Sequence, residues 1–266
     1  MFQGFYNLAS GMVYQNRNLN TISNNMVNVS TPGYKSDQMI STTFKDEMLY
    51  RNGNRNKNNA VPIGTVSRLR TISSTEVNYD QGAVEETGEN LDFALTKPGF
   101  FTIQDEDGNL LYTRNGSFKV DGEGYLCLPS QGRVLGEDGN PIELTTDHIT
   151  VDPSGNIYQA PIKGLGDDED SADTDDEPTL LGKVGVVDFA DYTTLVKENN
   201  GTFTAGAEGA AVDGGLQWKA LERSNMDPIK EMTTMMSSQR ASQSAAQVLK
   251  MYDQLMSRVV NEIGKV

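Results

Sequence analysis

Few residues in this 266-residue chain could do chemistry, and the spacing argues against each chemistry in turn. His148 is the single histidine, which excludes a multi-histidine metal site or a Ser-His-Asp triad within one chain and reads as a surface-loop residue. Cys127 is the single cysteine. It excludes an internal disulfide and a cysteine-based zinc site, and no base is placed to make it a nucleophile. Its setting, Tyr125-Leu126-Cys127-Leu128, is a strand pattern that predicts a small buried hydrophobe. The run Asp105-Glu106-Asp107-Gly108-Asn109 invites a calcium reading, but an EF-hand loop needs glycine at position six and glutamate at position twelve. The run supplies neither and reads as a hairpin turn. Residues 167–177 (DDEDSADTDDE) could collect divalent cations weakly, yet a block of like charge is by default a solvated loop. Neither phosphate-loop glycine pattern occurs. The expectation is no catalytic residue, no cofactor and no metal.

What the chain does carry is a pair of patterned ends. Phe5, Leu8, Met12, Leu19, Ile22, Met26 and Val29 follow alternating steps of three and four, with polar Gln15 filling one slot. At the far end Met235, Ser238, Ser242, Ala245, Leu249, Tyr252, Met256, Val259 and Ile263 keep the same spacing. Such a seam belongs to helices that pack on other helices. It fits equally an intramolecular helix pair with no further role and a surface that joins neighbouring chains. The small residues Ser238, Ser242 and Ala245 favour close helix approach. Asn7, Asn16, Asn18, Asn20, Asn24, Asn25 and Asn28 weaken the first helix, each at about 0.6 kcal/mol against alanine. That helix is therefore expected to fray in an isolated monomer and to fold when packed. Pro32-Gly33 ends it with a turn. Asp227 with Pro228 is placed to cap and start the last one.

Charge separates these ends from the middle. The first 40 residues carry +1 and the last 42 carry +1, so the middle holds −17 against a chain total of −15. A polyanion such as nucleic acid is an unfavourable partner for that middle. Apolar residues make up 36% of the chain, no apolar run is long enough to span a membrane, and the N-terminus has no signal-peptide pattern. Direct membrane insertion is not expected.

From Val66 to about Val212 short apolar-alternating runs, such as Phe100-Phe101-Thr102-Ile103-Gln104 and Lys183-Val184-Gly185-Val186-Val187, are separated by glycine-rich turns. This is the text of an antiparallel β domain. The predicted class is α+β, with the N- and C-terminal helices paired as an antiparallel coiled coil and a central all-β domain. The predicted divisions are 1–33 for the first helix, 34–75 for a linker or extended segment, 76–222 for the β domain and 223–266 for the last helix.

Three ordered stretches resemble a known family. Asn24, Asn25, Asn28, Thr31, Pro32, Gly33 and Tyr34, followed by Lys35, resemble the N-terminal signature of bacterial flagellar rod and hook proteins. Leu91-Asp92-Phe93-Ala94, Gly99-Phe100-Phe101 and Tyr112-Thr113-Arg114-Asn115-Gly116 resemble its central segment. Leu221-Glu222-Arg223-Ser224-Asn225 resembles its closing segment. The opening residues Gly4 to Met12 look closest to the proximal-rod type, with the distal-rod type next and a hook subunit as a further alternative. The resemblance implies a structural subunit of the flagellar basal body, exported unfolded by the flagellar type III apparatus without a cleaved signal peptide. Its partners would be copies of itself and other rod or hook proteins, joined through the two helical seams. It also implies an aromatic-x-x-x-hydrophobic export signal, which Phe44 and Met48 match, though they could equally be a plain packing pair. The rival from another class is a surface adhesin or calcium-dependent binding module.

Overall fold

A computed structural model describes residues 2–51, 61–144, 149–159, 179–198, 200–207, 209–212 and 214–263, with backbone alone at 2–3, 43–47, 49, 51, 61, 66–73 and 262–263. His148, the polar loop 52–59 and the acidic block 167–177 lie outside the described residues. Two helices stand at the ends of the chain and the described residues between them are β-rich, so the class is α+β. The chain divides into two units. One comprises residues 1–27, 36–78 and 227–266, and the other 28–35 and 79–226.

The first unit holds α1 (Phe2–Val27), β1 (Asp37–Arg51), β2 (Val61–Val77) and α2 (Pro228–Ile263). Helix α1 stops at Val27, five residues before Pro32, so Val29 lies beyond the helix whose stripe it was expected to extend. β1 and β2 form a long antiparallel ladder, from Asp37 opposite Val77 to Arg51 opposite Val61. The stretch expected to be a linker or extended segment is thus a paired hairpin. Asn25 ties α1 to this hairpin. Its amide nitrogen donates to the Asp37 carbonyl at 2.9 Å, and its side-chain oxygen accepts from the Asp37 N–H at 2.9 Å. An asparagine that costs the helix propensity is here repaired by two backbone hydrogen bonds. Asp227 caps α2 as its sequence predicts, its carboxylate accepting from the N–H groups of Ile229 and Lys230.

The second unit is built on a nine-stranded sheet. Its main path runs from Leu195–Lys197 through Phe203–Ala205, Leu110–Thr113, Phe100–Gln104, Gly132–Val134 and Leu126–Leu128 to Lys119–Val120. Phe100–Gln104 is central: its second edge is shared between Gly132–Val134 and Val186–Asp188. Strand alternation sends Phe101 and Ile103 into a core with Phe93, Phe118, Leu126 and Val134. Phe100 faces the other way, into an aromatic group with Tyr79, Phe189, Tyr192 and Phe203. Both faces of this strand are covered, so it reads as an apolar run rather than a clean alternation. Asp105–Asn109 is the turn between Phe100–Gln104 and Leu110–Thr113, with the Asp105 N–H donating to the Asn109 carbonyl at 3.0 Å.

Cys127 departs from expectation. In Leu126–Leu128 the two leucines are buried and Cys127 is half-exposed on the opposite face. Leu-Cys-Leu fixes the alternation but not which parity faces inward. Partial burial, with Asp121 nearby, pushes its thiol above the usual range, away from thiolate chemistry.

Tyr192 gives the second unit a pH response. Its hydroxyl donates to Asp188 at 2.8 Å, and burial together with that bond raises the phenol to about 12 from 10.0. The folded state therefore keeps a proton that the unfolded state releases near pH 10, so this contribution is complete below pH 10 and lost as pH rises toward 12. Denaturation midpoints measured across that range should fall with pH, and Tyr192→Phe should flatten the fall. An equally steep fall in the variant would contradict the assignment.

Candidate assembly surface

The residues of the two predicted stripes differ in exposure. On α1, Leu8, Met12, Leu19 and Met26 are half-buried, Ile22 is buried, and Phe5 remains 43% exposed. Past the helix end, Val29 is half-buried. On α2, Met235, Ala245, Leu249, Tyr252 and Met256 are half-buried and Ser238 is buried. Val259 is exposed, and the Ile263 side chain lies outside the described residues. The remaining α2 faces stay in solvent, so burial has the period of one helical face.

The helices touch at residues that fix their relative direction. The Asn18 amide nitrogen donates to the Ser238 hydroxyl at 3.0 Å. A methyl added at Gly4 would stand 2.7 Å from the Tyr252 hydroxyl. Fourteen positions forward on α1 correspond to fourteen back on α2, so the two run in opposite directions. Gly4 and Ser238 are small at these points, which lets the opposing chain approach closely.

Phe44 and Met48 both lie on β1, and Met48 is half-exposed. At roughly 3.4 Å per residue, positions four apart in a strand are separated by about 13 Å.

Of the signature residues, Asn24 and Asn25 lie on α1, Asn28, Thr31 and Pro32 are half-buried, and Gly33, Tyr34 and Lys35 are buried. Gly33 is required by its backbone: φ is +66°, and a Cβ there would run into the backbone of Arg114. Its N–H donates to the Glu222 carbonyl at 2.7 Å. Lys35 then places its ammonium 2.7 Å from the Glu222 carboxylate and 2.8 Å from the Asp80 carbonyl. The other Glu222 oxygen accepts no hydrogen bond from the described residues and faces the Arg114 Nε at 3.6 Å. Side-chain exposure is 1% for Lys35 and Glu222 and 4% for Arg114. Burial lowers the Lys35 ammonium below its usual range even though Glu222 pulls the other way, and burial likewise lowers Arg114.

This ionic cluster was not foreseen from the sequence as a site. The available signal was positional: Lys35, Arg114 and Glu222 each fall inside one of the three signature stretches. Three charged residues, one per signature, meet in the interior of one unit. Among the described residues no group of histidine, cysteine or carboxylate side chains is arranged to hold a metal ion, and no helix is long and apolar enough to cross a membrane.

The described residues thus form a glycine-turn β unit and a pair of opposed terminal helices. Comparison with known proteins agrees in three places. Residues 5–35 match the Flagella basal body rod protein family, 94–159 the Flagellar hook protein FlgE/F/G D1 domain, and 219–262 the Flagellar basal body rod FlgEFG protein C-terminal family. Flagellar basal-body rod protein FlgG of Borreliella burgdorferi is 31% identical, over 96% of this chain and 97% of its own length. FlgG of Bacillus subtilis is 29% identical over 98% of this chain and 99% of its own length, and FlgF of Caulobacter vibrioides 26% over 94% and 93%. The chain belongs to the flagellar basal-body rod protein family. It is a structural subunit of the rod and not an enzyme.

Proposed function

We propose that this rod subunit polymerises through its terminal helices, with α1 and α2 paired as an antiparallel coiled coil within each chain and a second α2 face left for neighbouring copies and other rod or hook proteins. The observation that carries this reading is on α2. Beside the half-buried stripe, Val248, Met251, Leu255 and Val259 repeat at steps of three, four and four and stay exposed, Met251 at 58% and Leu255 at 59%. A helix that presents two adjacent apolar stripes has more partners than one antiparallel neighbour can cover. The near-neutral ends can pack side by side at little electrostatic cost, while the acidic middle favours water.

Among the relatives the FlgG name predominates, which supports a distal-rod position over the proximal position that the opening residues suggest. Membership of the family supports export by the flagellar type III apparatus and a place in the basal body outside the cytoplasm. Phe44 and Met48, about 13 Å apart once folded, would be read by that apparatus in the unfolded chain.

Two experiments test these readings. Met251→Glu with Leu255→Lys should leave the β unit folded by circular dichroism and denaturation, yet abolish polymerisation and motility. Normal rods from that variant would refute the α2 surface. Phe44→Ala with Met48→Ala should lower the amount of exported chain several-fold without changing the stability of purified protein. Undiminished export would remove the signal.

A further inference from the structure

We propose that Lys35, Glu222 and Arg114 form a register lock: they set which residues of the C-terminal flank of the β unit face inward against the N-terminal flank, and contribute conformational uniqueness more than net stability. The flanks are 28–35 at one end of the unit and 220–226 at the other, and the Lys35–Glu222 pair joins them across 187 residues of sequence. The first flank is pinned by Gly33, whose φ of +66° and close approach to the Arg114 backbone suit no other residue, and it places Tyr34 beneath the Lys197 ammonium at 4.0 Å and Lys35 on Glu222. On the second, Ala220–Glu222 pairs with Val84–Glu86, and a shift of one residue would carry Leu221 inward and Glu222 out. By hydrophobic pattern alone, the slipped arrangement of Ala220–Glu222 is acceptable.

The ions remove that ambiguity. In the native register the Glu222 carboxylate accepts from Lys35 and from the Gly82 N–H at 2.9 Å, and the Arg114 guanidinium donates to the Lys97 carbonyl at 3.0 Å. With Glu222 slipped outward, Lys35 and Arg114 are left buried without their carboxylate, which is far costlier than losing an apolar contact. Gly82 enforces the same closeness, because a Cβ there would strike the Arg223 carbonyl. A buried ion pair is weak evidence for stability, since its desolvation can cancel its attraction, and apolar replacements are often neutral or better. Its geometric demand is what an apolar plug would lack. The lock stands on these contacts within one unit and does not depend on the helices being assembly surfaces.

The full-length chain separates uniqueness from stability. Glu222→Gln alone should lower the denaturation midpoint and speed amide exchange in residues 28–35 and 220–225 roughly a hundredfold or more, because it leaves the buried Lys35 and Arg114 without a counter-charge. The triple variant Lys35→Met/Arg114→Met/Glu222→Met, which removes every charge of the cluster, should regain the parent midpoint while the same flank amides stay fast and those of Phe101–Ile103 stay protected. If the triple variant restores slow exchange in both flanks, the cluster is a packing plug and the proposal fails. It fails also if the triple variant does not regain its midpoint, or if the single variant leaves flank exchange unchanged.

Discussion

An apolar stripe on a helix must be covered, and this molecule places one such stripe at each end of its chain. The cover each provides the other is partial. On α1 only Ile22 of the predicted stripe is buried outright, and Phe5 near its start remains 43% exposed. The backbone of a long helix is ordered at roughly 1–2 kcal/mol per residue, so half-buried side chains on an asparagine-rich helix repay that cost poorly. Small residues at Gly4 and Ser238 allow close approach but bury little area of their own. The helix-mediated polymerisation proposed above would supply the cover that the two helices do not give each other.

The β unit answers a different requirement. It is acidic, glycine-turned and folded around the Phe101–Ile103 strand, with its flanks held by a buried ionic cluster rather than by grease. Lys35 brings the N-terminal flank, Glu222 the C-terminal flank and Arg114 the sheet between them. Gly33 and Gly82 are the points where backbones approach too closely for any side chain. The signature stretches at the two ends of the sequence thus have a physical link within a single unit: the side chains of Lys35 and Glu222 meet.

What could be read from the sequence is what is encoded locally. Helical period is a property of neighbours three and four apart, so the stripes from Leu8 to Met26 and from Met235 to Met256 were legible, as was the Asp227 cap. Dense Gly-Asn and Asp-Gly turns announced strands. Parity was not legible: Leu126-Cys127-Leu128 shows alternation without saying which side is inside, and Cys127 emerged half-exposed. Asn25 was read as a helix defect because its two partners lie on Asp37, beyond the turn. The ionic cluster was invisible for the same reason at larger scale. Lys35, Arg114 and Glu222 look like solvated surface until the topology brings them together across 187 residues.

Whether neighbouring subunits complete the terminal helices can be read from amide exchange along α1 in dilute monomer and in assembled rods. Exchange should be fast over residues 2–27 in the monomer, with slow exchange in the β-unit core, and the same helix should be strongly protected after assembly. Protection of α1 in the monomer equal to that of the β core would contradict completion by neighbours, since the helix pair would then be complete on its own.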